Sequence, residues 1–195
     1  STNVINPILS IITNISYDHQ KILGNTLPEI ASEKAGIIKD NTPVLIGEYQ
    51  PTIFSVFTSK AKEKNAPLRL ATKYGKVMTQ ATTGRYIYRS FDNQYVKLDM
   101  PYHGPYQEKN INTVIQAIQW MNETSVLSIS ETKIKLGLKN LDNRVPLLGR
   151  FQTLGTKPLV IADGAHNLSG LKLLFKRIKQ LAKGDVHVVF GTVKD

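Results

Sequence analysis

Short apolar runs alternate with segments of helical hydrophobic spacing through the first third of the chain. The runs that predict strands are SIITNI (10–15), TPVLIG (42–47) and PLRLAT (67–72). The segments that predict helices are TLPEIASEKAG (26–36) and one that begins near PTIFSVFTSKAKEKN (51–65). This β-α-β-α-β order is typical of a parallel sheet covered by helices.

The first predicted helix carries its own boundary signals. Thr26 and Glu29 have the spacing of a capping box. Gly36 can take the left-handed conformation that often ends a helix. The sequence therefore predicts a helix that begins just after Thr26 and ends near Gly36.

The middle of the chain departs from this alternation. YIYRS (86–90) and YVKLDM (95–100) predict an antiparallel pair of strands. Apolar residues then recur at helical spacing and predict an amphipathic helix over 106–123. Its apolar positions are Ile111, Val114, Ile115, Ile118 and Met121. A short helix near 130–140 precedes the turn-rich NRVPLLG (143–149).

After Gly149 a second α/β unit is predicted. Its strands are GRFQTLG (149–155), KPLVIAD (157–163) and VHVVFG (186–191), with an apolar-striped helix between the last two. We therefore predict two domains, at 1–144 and 145–195. Neither end carries a start or stop signal, so we interpret the chain as the interior of a longer protein.

Composition narrows the protein class. The 195 residues are 41% hydrophobic and 21% charged, which is ordinary for a soluble globular protein. The sequence contains no apolar run near the length of a membrane span. It also contains no segment with the pattern of a signal peptide. The absence of cysteine excludes disulfides and thiolate chemistry and fits a reducing compartment. We expect a soluble, cytoplasmic protein.

The net charge of +10 allows two kinds of partner. One is nucleic acid or another polyanion, and the other is a small anion such as a nucleotide or carboxylate. The basic residues of 60–65 and 172–183 are mixed with helical apolar positions, which favours solvated helix faces. We expect no nucleic acid partner, while a non-enzymatic polyanion-binding module stays as the distant alternative.

Two predicted strands end in acid and imidazole side chains. LSIITNISYDHQ (9–20) ends in Asp18 and His19, and LVIADGAHN (159–167) ends in Asp163, His166 and Asn167. Ligands bind at the carboxyl ends of strands in open α/β sheets, so these residues are candidates for a site. Asn and Asp also cap turns, and that simpler interpretation stays open for each end.

Three other candidates also have structural interpretations. Lys34 stands on a short helix, where a lysine usually extends outward. Asn110 opens a helix as an ordinary cap, and Arg150 follows Gly149 as a surface residue.

Six motifs in chain order carry a resemblance to a known family. They are STNVINP (1–7), ITNISYDH (12–19), LGNTLPEIASEKAGIIK (23–39), HGPYQEKN (103–110), GRFQ (149–152) and DGAHN (163–167). In these the chain closely resembles the folylpolyglutamate synthase and dihydrofolate synthase family of the Mur-ligase superfamily. The resemblance implies the latter half of a P-loop-type ATPase domain, followed by the start of a Rossmann-like domain.

The implied activity is ATP-dependent amide ligation. A ligase of this family adds L-glutamate to folate or dihydropteroate through an acyl phosphate, with Mg²⁺ or Mn²⁺ bound. Another amino-acid ligase of the same superfamily is the near alternative. The acceptor, glutamate and ATP would be the partners, with no membrane partner.

The resemblance also implies roles for individual residues near the chemistry. His19 matches a metal ligand, with Asp18 beside it as support. Lys34 matches the lysine that carbon dioxide converts to a carbamate, which holds metal near the acceptor; apolar neighbours would favour the unprotonated amine that this requires. His19, Lys34 and Arg150 are the residues expected to serve catalysis.

The nucleotide contacts implied by the resemblance lie in both units. Asn110 and Gln107 match adenine-side contacts, and Arg150 matches a cation on the phosphates. Asp163 and His166 match contacts around the ribose and phosphate.

Two departures from the family pattern stand out. The family often has histidine where Tyr106 stands. No G-x-x-G-K-[ST] motif occurs in the chain, so the phosphate loop would lie upstream. We therefore expect these 195 residues, by themselves, neither to hydrolyse ATP nor to make folate glutamates.

Overall fold

A computed structural model of the chain describes residues 2–80, 85–102, 106–144 and 148–191. The strands are β1 Ser10–Ile12, β2 Val44–Ile46, β3 Leu68–Leu70, β4 Gly75–Thr79, β5 Tyr86–Ser90, β6 Tyr95–Leu98, β7 Gln152–Thr156 and β8 Leu159–Ala162. The α-helices are α1 Gln20–Leu23, α2 Leu27–Ala35, α3 Phe54–Glu63, α4 Gln107–Glu123, α5 Glu131–Lys139, α6 Leu141–Arg144 and α7 Leu168–Leu181. Short 3₁₀ turns lie at Thr2–Val4 and Ala71–Lys73.

A parallel sheet forms the centre of the first unit, as predicted. Strand β2 lies between β1 and β3, and Ser10 pairs with Val44, which pairs with Leu68. All three residues of β2 are buried. A strand covered on both faces is apolar throughout, which explains the uninterrupted VLI.

Helices α2 and α3 cover one face of this sheet. Ile30 of α2 and Phe57 of α3 pack with the sheet in one buried cluster. The predicted capping box is confirmed, since Thr26 and Glu29 bond each other's backbone N–H. The prediction for Gly36 is wrong: its φ of −56° is right-handed, because the chain continues in a helical turn stabilised by the Gly36 N–H bonding to Glu33 O.

Helix α4 packs between the parallel sheet and a second, antiparallel one. Ala117 and Trp120 contact the parallel sheet at Leu45, while Ile111 and Ile115 pack on the antiparallel strands. The predicted β5–β6 pair is confirmed. Strand β4 adds a third member that the sequence did not reveal, because GKVMT buries only Val77.

The buried face of α4 differs from the predicted apolar stripe. Val114 is exposed, whereas Asn112, Thr113 and Gln116 are buried. Gln116 Nε2 donates to the Tyr88 hydroxyl at 2.9 Å, so the antiparallel sheet supplies a polar partner. A helix that contacts two sheets buries a wider arc than one apolar stripe provides.

The second unit begins with an antiparallel hairpin. Strands β7 and β8 pair antiparallel, with a bulge between Thr153 and Gly155. Two residues connect them, and a parallel pair would need a crossover of about a dozen residues or more. These two strands therefore differ from the parallel pairing that is typical of a Rossmann-like domain.

The predicted strand VHVVFG is also wrong. Residues 186–191 form no strand within the described part of the chain, although four of them are large apolar residues and all six are exposed. Strand structure requires a hydrogen-bonded partner, which apolar composition alone does not supply. Helix α7 is present as predicted, ahead of this segment.

Some predictions fall outside the described residues. The proposed boundary at 145, the middle of NRVPLLG and the HGP of HGPYQEKN lie there. Among the described helices, none has the length and apolarity that a membrane span requires.

Two glycine substitutions test this packing in opposite directions. An added Cβ at Gly47 would lie 2.7 Å from the Thr13 carbonyl oxygen and 2.8 Å from Thr113 Oγ1. We expect Gly47→Ala to lower the free energy of unfolding by about 1–3 kcal/mol through overpacking. Urea denaturation of the purified chain measures this.

Gly137→Ala is the matched control. Nothing lies within 4 Å of a Cβ at Gly137, which is inside α5. We expect this variant to raise stability by about 0.5–1 kcal/mol. A Gly47→Ala chain as stable as the natural one would contradict the close packing of α4 on β2.

Candidate functional site

The loop after β1 carries Asp18 and His19 and is held by one glutamine. Gln50 Oε1 accepts from the Ile15 N–H, and Gln50 Nε2 donates to the Ile15 carbonyl, both at 2.8 Å. This amide pairs with the loop as a neighbouring strand would. It fixes the path of the chain just before the two candidate residues.

His19 has a strained backbone. Its φ of 50° and ψ of 41° place it in the left-handed region, at the start of α1. A non-glycine residue there is uncommon, and such strain concentrates at functional sites. Its imidazole is 56% exposed and therefore open to a ligand.

Asp18 brings the two units together. Its Oδ2 accepts a hydrogen bond from Asn167 Nδ2 at 3.3 Å and lies 3.5 Å from His166 Nε2. Its Oδ1 lies 3.9 Å from His19 Nε2. The loops that follow β1 and β8 therefore meet through these side chains.

Asp163 joins two turns of the second unit. Its Oδ2 accepts from the Phe151 N–H at 2.7 Å, and its Oδ1 accepts from the Ala165 N–H at 2.8 Å. The turn interpretation of Asp163 is therefore supported. Each oxygen keeps a second lone pair for a ligand.

The turn beside Asp163 is also strained. Phe151 has a φ of 52°, which is costly for a residue with a Cβ, whereas the φ of 65° at Gly149 is one that glycine adopts without strain. The Gly164 N–H donates to the Gly149 carbonyl at 2.7 Å, so the Gly149–Arg150 turn lies against the DGAHN turn. Arg150 is exposed beside them.

The first turn of α4 faces this same region. Tyr106 precedes the helix, Gln107 begins it, and Asn110 Nδ2 lies 3.4 Å from Gln107 Oε1. Burial and the Asp163 carboxylate raise the pKa of Tyr106 above its usual value, while the Arg150 guanidinium acts in the opposite direction. Tyr106 thus lies within electrostatic reach of both charges.

Lys34 stands apart from these groups. Its side chain is exposed at the end of α2, and it forms no hydrogen bond or ion pair with the described residues. The apolar surroundings expected to favour a neutral amine are not found. The cause is that Ile30, Ala31 and Ala35 turn their side chains toward the core.

The described residues do not by themselves form a metal centre. No three His, Cys, Asp or Glu side chains within them converge on one point. His19 and Asp18 supply one imidazole and one carboxylate. A hard cation takes six or more ligands, so phosphate oxygens and water would have to complete its shell.

Sequence reasoning missed two contributors to this region, Gln50 and Tyr106, and it missed one contact of the candidate Asn167. Gln50 belongs to no motif from which its hydrogen bonds to Ile15 could be predicted. Tyr106 was noted only as a departure from the family pattern, and its interaction with Asp163 and Arg150 was not predicted. Asn167 caps α7, since its Oδ1 accepts from the Gly170 N–H at 2.9 Å. The N-cap role of Asn167 can be predicted from the sequence, because Asn is favoured at that position. The hydrogen bond from Asn167 to Asp18 cannot be predicted in this way.

Curated relatives align along the entire chain. The dihydrofolate synthase/folylpolyglutamate synthase of Bacillus subtilis (strain 168) is 32% identical in an alignment of 199 positions that covers 100% of this chain and 45% of that protein. The folylpolyglutamate synthase of Lacticaseibacillus casei is 32% identical in an alignment of 198 positions, with the same coverage of both chains. A scan of protein-family models found no match.

Solved structures agree with these relatives. An FPGS–AMPPCP–folate complex superposes with a TM-score of 0.84 at 30% identity, over 94% of this chain and 45% of that one. E. coli FolC in complex with DHPP and ADP superposes with a TM-score of 0.74 at 29% identity, over 94% of this chain and 41% of that one.

The parallel sheet, the antiparallel sheets and these matches define an α/β protein of the FPGS type. The chain belongs to the folylpolyglutamate synthase and dihydrofolate synthase family. It spans a little under half the length of these two curated relatives.

The placement of Tyr106 predicts opposite effects of two neutralising substitutions. We expect Asp163→Asn to lower the pKa of Tyr106, because it removes a negative charge that opposes phenolate formation. We expect Arg150→Gln to raise it, because a favourable positive charge is lost. NMR titration of chain labelled at tyrosine Cζ, with Tyr106→Phe to assign the signal, measures both.

Lys62→Gln is the control for net charge. Lys62 is an exposed cation on α3, and its loss alters the total charge as Arg150→Gln does. We expect no shift of Tyr106 in this variant. Shifts of the same sign in Asp163→Asn and Arg150→Gln would contradict the arrangement described here.

Proposed function

We propose that this chain provides part of an ATP-dependent amide ligase that adds L-glutamate to folate or dihydropteroate. In this proposal residues 1–144 belong to a P-loop-type ATPase domain, and 145–195 begin a Rossmann-like domain. The observation that carries the proposal is the meeting of Asp18 with His166 and Asn167. It places two motifs of one ligase family, 149 positions apart, at a shared edge.

The nucleotide is assigned to the region around Tyr106 and Asp163. Gln107 is buried, and Asn110 is exposed beside it. Their side-chain amides can hydrogen-bond to the edge of a base. The exposed guanidinium of Arg150 suits a phosphate group. Relatives of this chain have been solved with AMPPCP and with ADP, which supports the assignment.

Asp163 and His166 are assigned to the ribose and phosphates. Asp163 is already bonded to two backbone N–H groups, so its orientation is set before a ligand arrives. His166 Nδ1 lies 3.0 Å from the Gly164 carbonyl oxygen, which orients its ring. We assign these residues a positioning role, with ligand contact through the second lone pair of each Asp163 oxygen.

Mg²⁺ or Mn²⁺ is assigned to His19, with a carbamate on Lys34 as a further ligand. In such reactions a divalent ion neutralises the negative charge of the closely spaced phosphates. His19 is exposed in a loop fixed by Gln50, so its imidazole is held at a defined place. The exposed amine of Lys34 is accessible to carbon dioxide.

The proposed chemistry follows from the low reactivity of a carboxylate. The acceptor carboxylate attacks the γ-phosphorus of ATP, and ADP leaves with the electrons of the broken phosphorus–oxygen bond. The glutamate amine then attacks the acyl carbon, and inorganic phosphate leaves as the amide forms. The role of Arg150 is to hold negative charge on the phosphates during the first step.

The pairing of basic residues with nearby carboxylates favours this proposal over a polyanion-binding module. Lys60 is paired with Glu63 at 2.7 Å, and Lys64 lies 3.1 Å from Asp40. These pairs neutralise part of the basic run at 60–65. Steeply salt-dependent binding to DNA without turnover would favour the module instead.

The function is tested by ADP release in the presence of glutamate and a folate or dihydropteroate acceptor. We expect acceptor-dependent turnover from a longer protein that contains this chain and a glycine-rich phosphate loop. We expect none from the 195 residues alone, since removing a single phosphate-facing donor costs about 10²- to 10³-fold. Comparable turnover by both proteins would contradict the need for a separate loop.

Substitutions at His19 and Lys34 test the metal assignment in the longer protein. We expect His19→Ala to raise the Mg²⁺ concentration needed for half-maximal rate. We expect Lys34→Ala and Lys34→Arg to abolish most turnover, because a guanidinium stays protonated and cannot form a carbamate.

Lys21→Ala is the control for both substitutions, since Lys21 is an exposed lysine near His19 on α1. It is expected to behave as the natural protein. An unchanged metal titration in His19→Ala would reject the metal role, and near-normal turnover in Lys34→Ala would reject the carbamate.

A further inference from the structure

We propose that Asp18 is a positioning residue that docks the second unit on the first. One carboxylate oxygen faces His19 of its own loop, and the other holds the His166–Asn167 turn. The consequence for nucleotide binding rests on the proposed function. The docking itself is independent of the proposed function.

The distances favour docking over support of His19 alone. Asp18 Oδ2 is 3.3 Å from Asn167 Nδ2 and 3.5 Å from His166 Nε2, whereas Oδ1 is 3.9 Å from His19 Nε2. The shorter contacts cross to the second unit. The Asp18 side chain is 24% exposed, so these contacts are partly shielded from water.

Asn167 links Asp18 to the start of helix α7. Its Nδ2 binds Asp18, while its Oδ1 accepts from the Gly170 N–H and caps the helix. Both ends of one short amide are therefore used. Because this side chain is anchored at the start of α7, the contact with Asp18 constrains the direction in which the helix leaves the turn.

Docking would also place the other polar groups of the second unit. The DGAHN turn is bonded through Asp163 and Gly164 to the turn that carries Arg150. Fixing Asn167 therefore restricts Arg150 and Asp163 relative to Tyr106. Affinity falls in proportion to the fraction of molecules with the competent arrangement, so loss of docking would weaken nucleotide binding.

The absence of cysteine makes the docking measurable. Lys62→Cys on α3 and Lys176→Cys on α7 are exposed positions for two spin labels. Double electron–electron resonance then gives the distribution of distances between the units in the whole 195-residue chain without ligand.

Three variants separate docking from capping. Asp18→Ala removes the acceptor. Asn167→Asp keeps an oxygen for the α7 cap but places a carboxylate against Asp18. The double variant Asp18→Asn/Asn167→Asp reverses donor and acceptor, so it restores the hydrogen bond.

We expect a broader distribution with longer distances in Asp18→Ala and in Asn167→Asp, and recovery in the double variant. Asp40→Asn, which alters an exposed carboxylate paired with Lys64, is expected to match the natural chain. Unchanged distances in both single variants, or a double variant as broad as the singles, would overturn the proposal. Circular dichroism verifies that α7 is intact in each.

A second measurement separates this proposal from the proposed function. If the competent fraction falls to about one tenth in Asp18→Ala, the Kd for AMPPCP with Mg²⁺ rises about tenfold. Distances that respond in this chain, while the longer protein with the phosphate loop shows no AMPPCP binding, would support docking and count against the nucleotide site. Unchanged distances count against docking whatever the affinity.

Discussion

The packing of helix α4 between two sheets is the constraint on which the rest of the structure depends. Ala117 and Trp120 complete the core of the parallel sheet, while Ile111 and Ile115 complete that of the antiparallel one. One helix therefore sets the distance between the two sheets. Its amino end directs Gln107 and Asn110 to the region where Asp163 and Arg150 act on the preceding Tyr106.

Local strain and side-chain bonds then shape the candidate site. Gln50 replaces a missing strand neighbour for the loop that carries Asp18, and Asp163 holds two turns through two backbone N–H groups. His19 and Phe151 both have left-handed backbones that cost free energy. The bonds around them maintain these conformations, so polar residues are presented before a ligand binds.

The sequence by itself determined the elements whose signals are local. Period and order predicted the parallel sheet, α4 and the β5–β6 pair, and the Thr26–Glu29 spacing predicted a capping box. The motifs from 12–19 to 163–167 identified the family and the candidate residues. Helix caps, hydrophobic period and motifs depend on residues close in sequence, which explains why they could be read directly.

Only the tertiary structure decided which residues share an environment. It paired β7 with β8 as a hairpin, buried Asn112 and Gln116 against a second sheet, and left Lys34 exposed. It also placed Asp18 against Asn167, 149 positions away. Such contacts depend on how separate elements pack. The pattern within each segment contains no information about its distant partner, so the sequence predicted the candidates while the fold determined their neighbours.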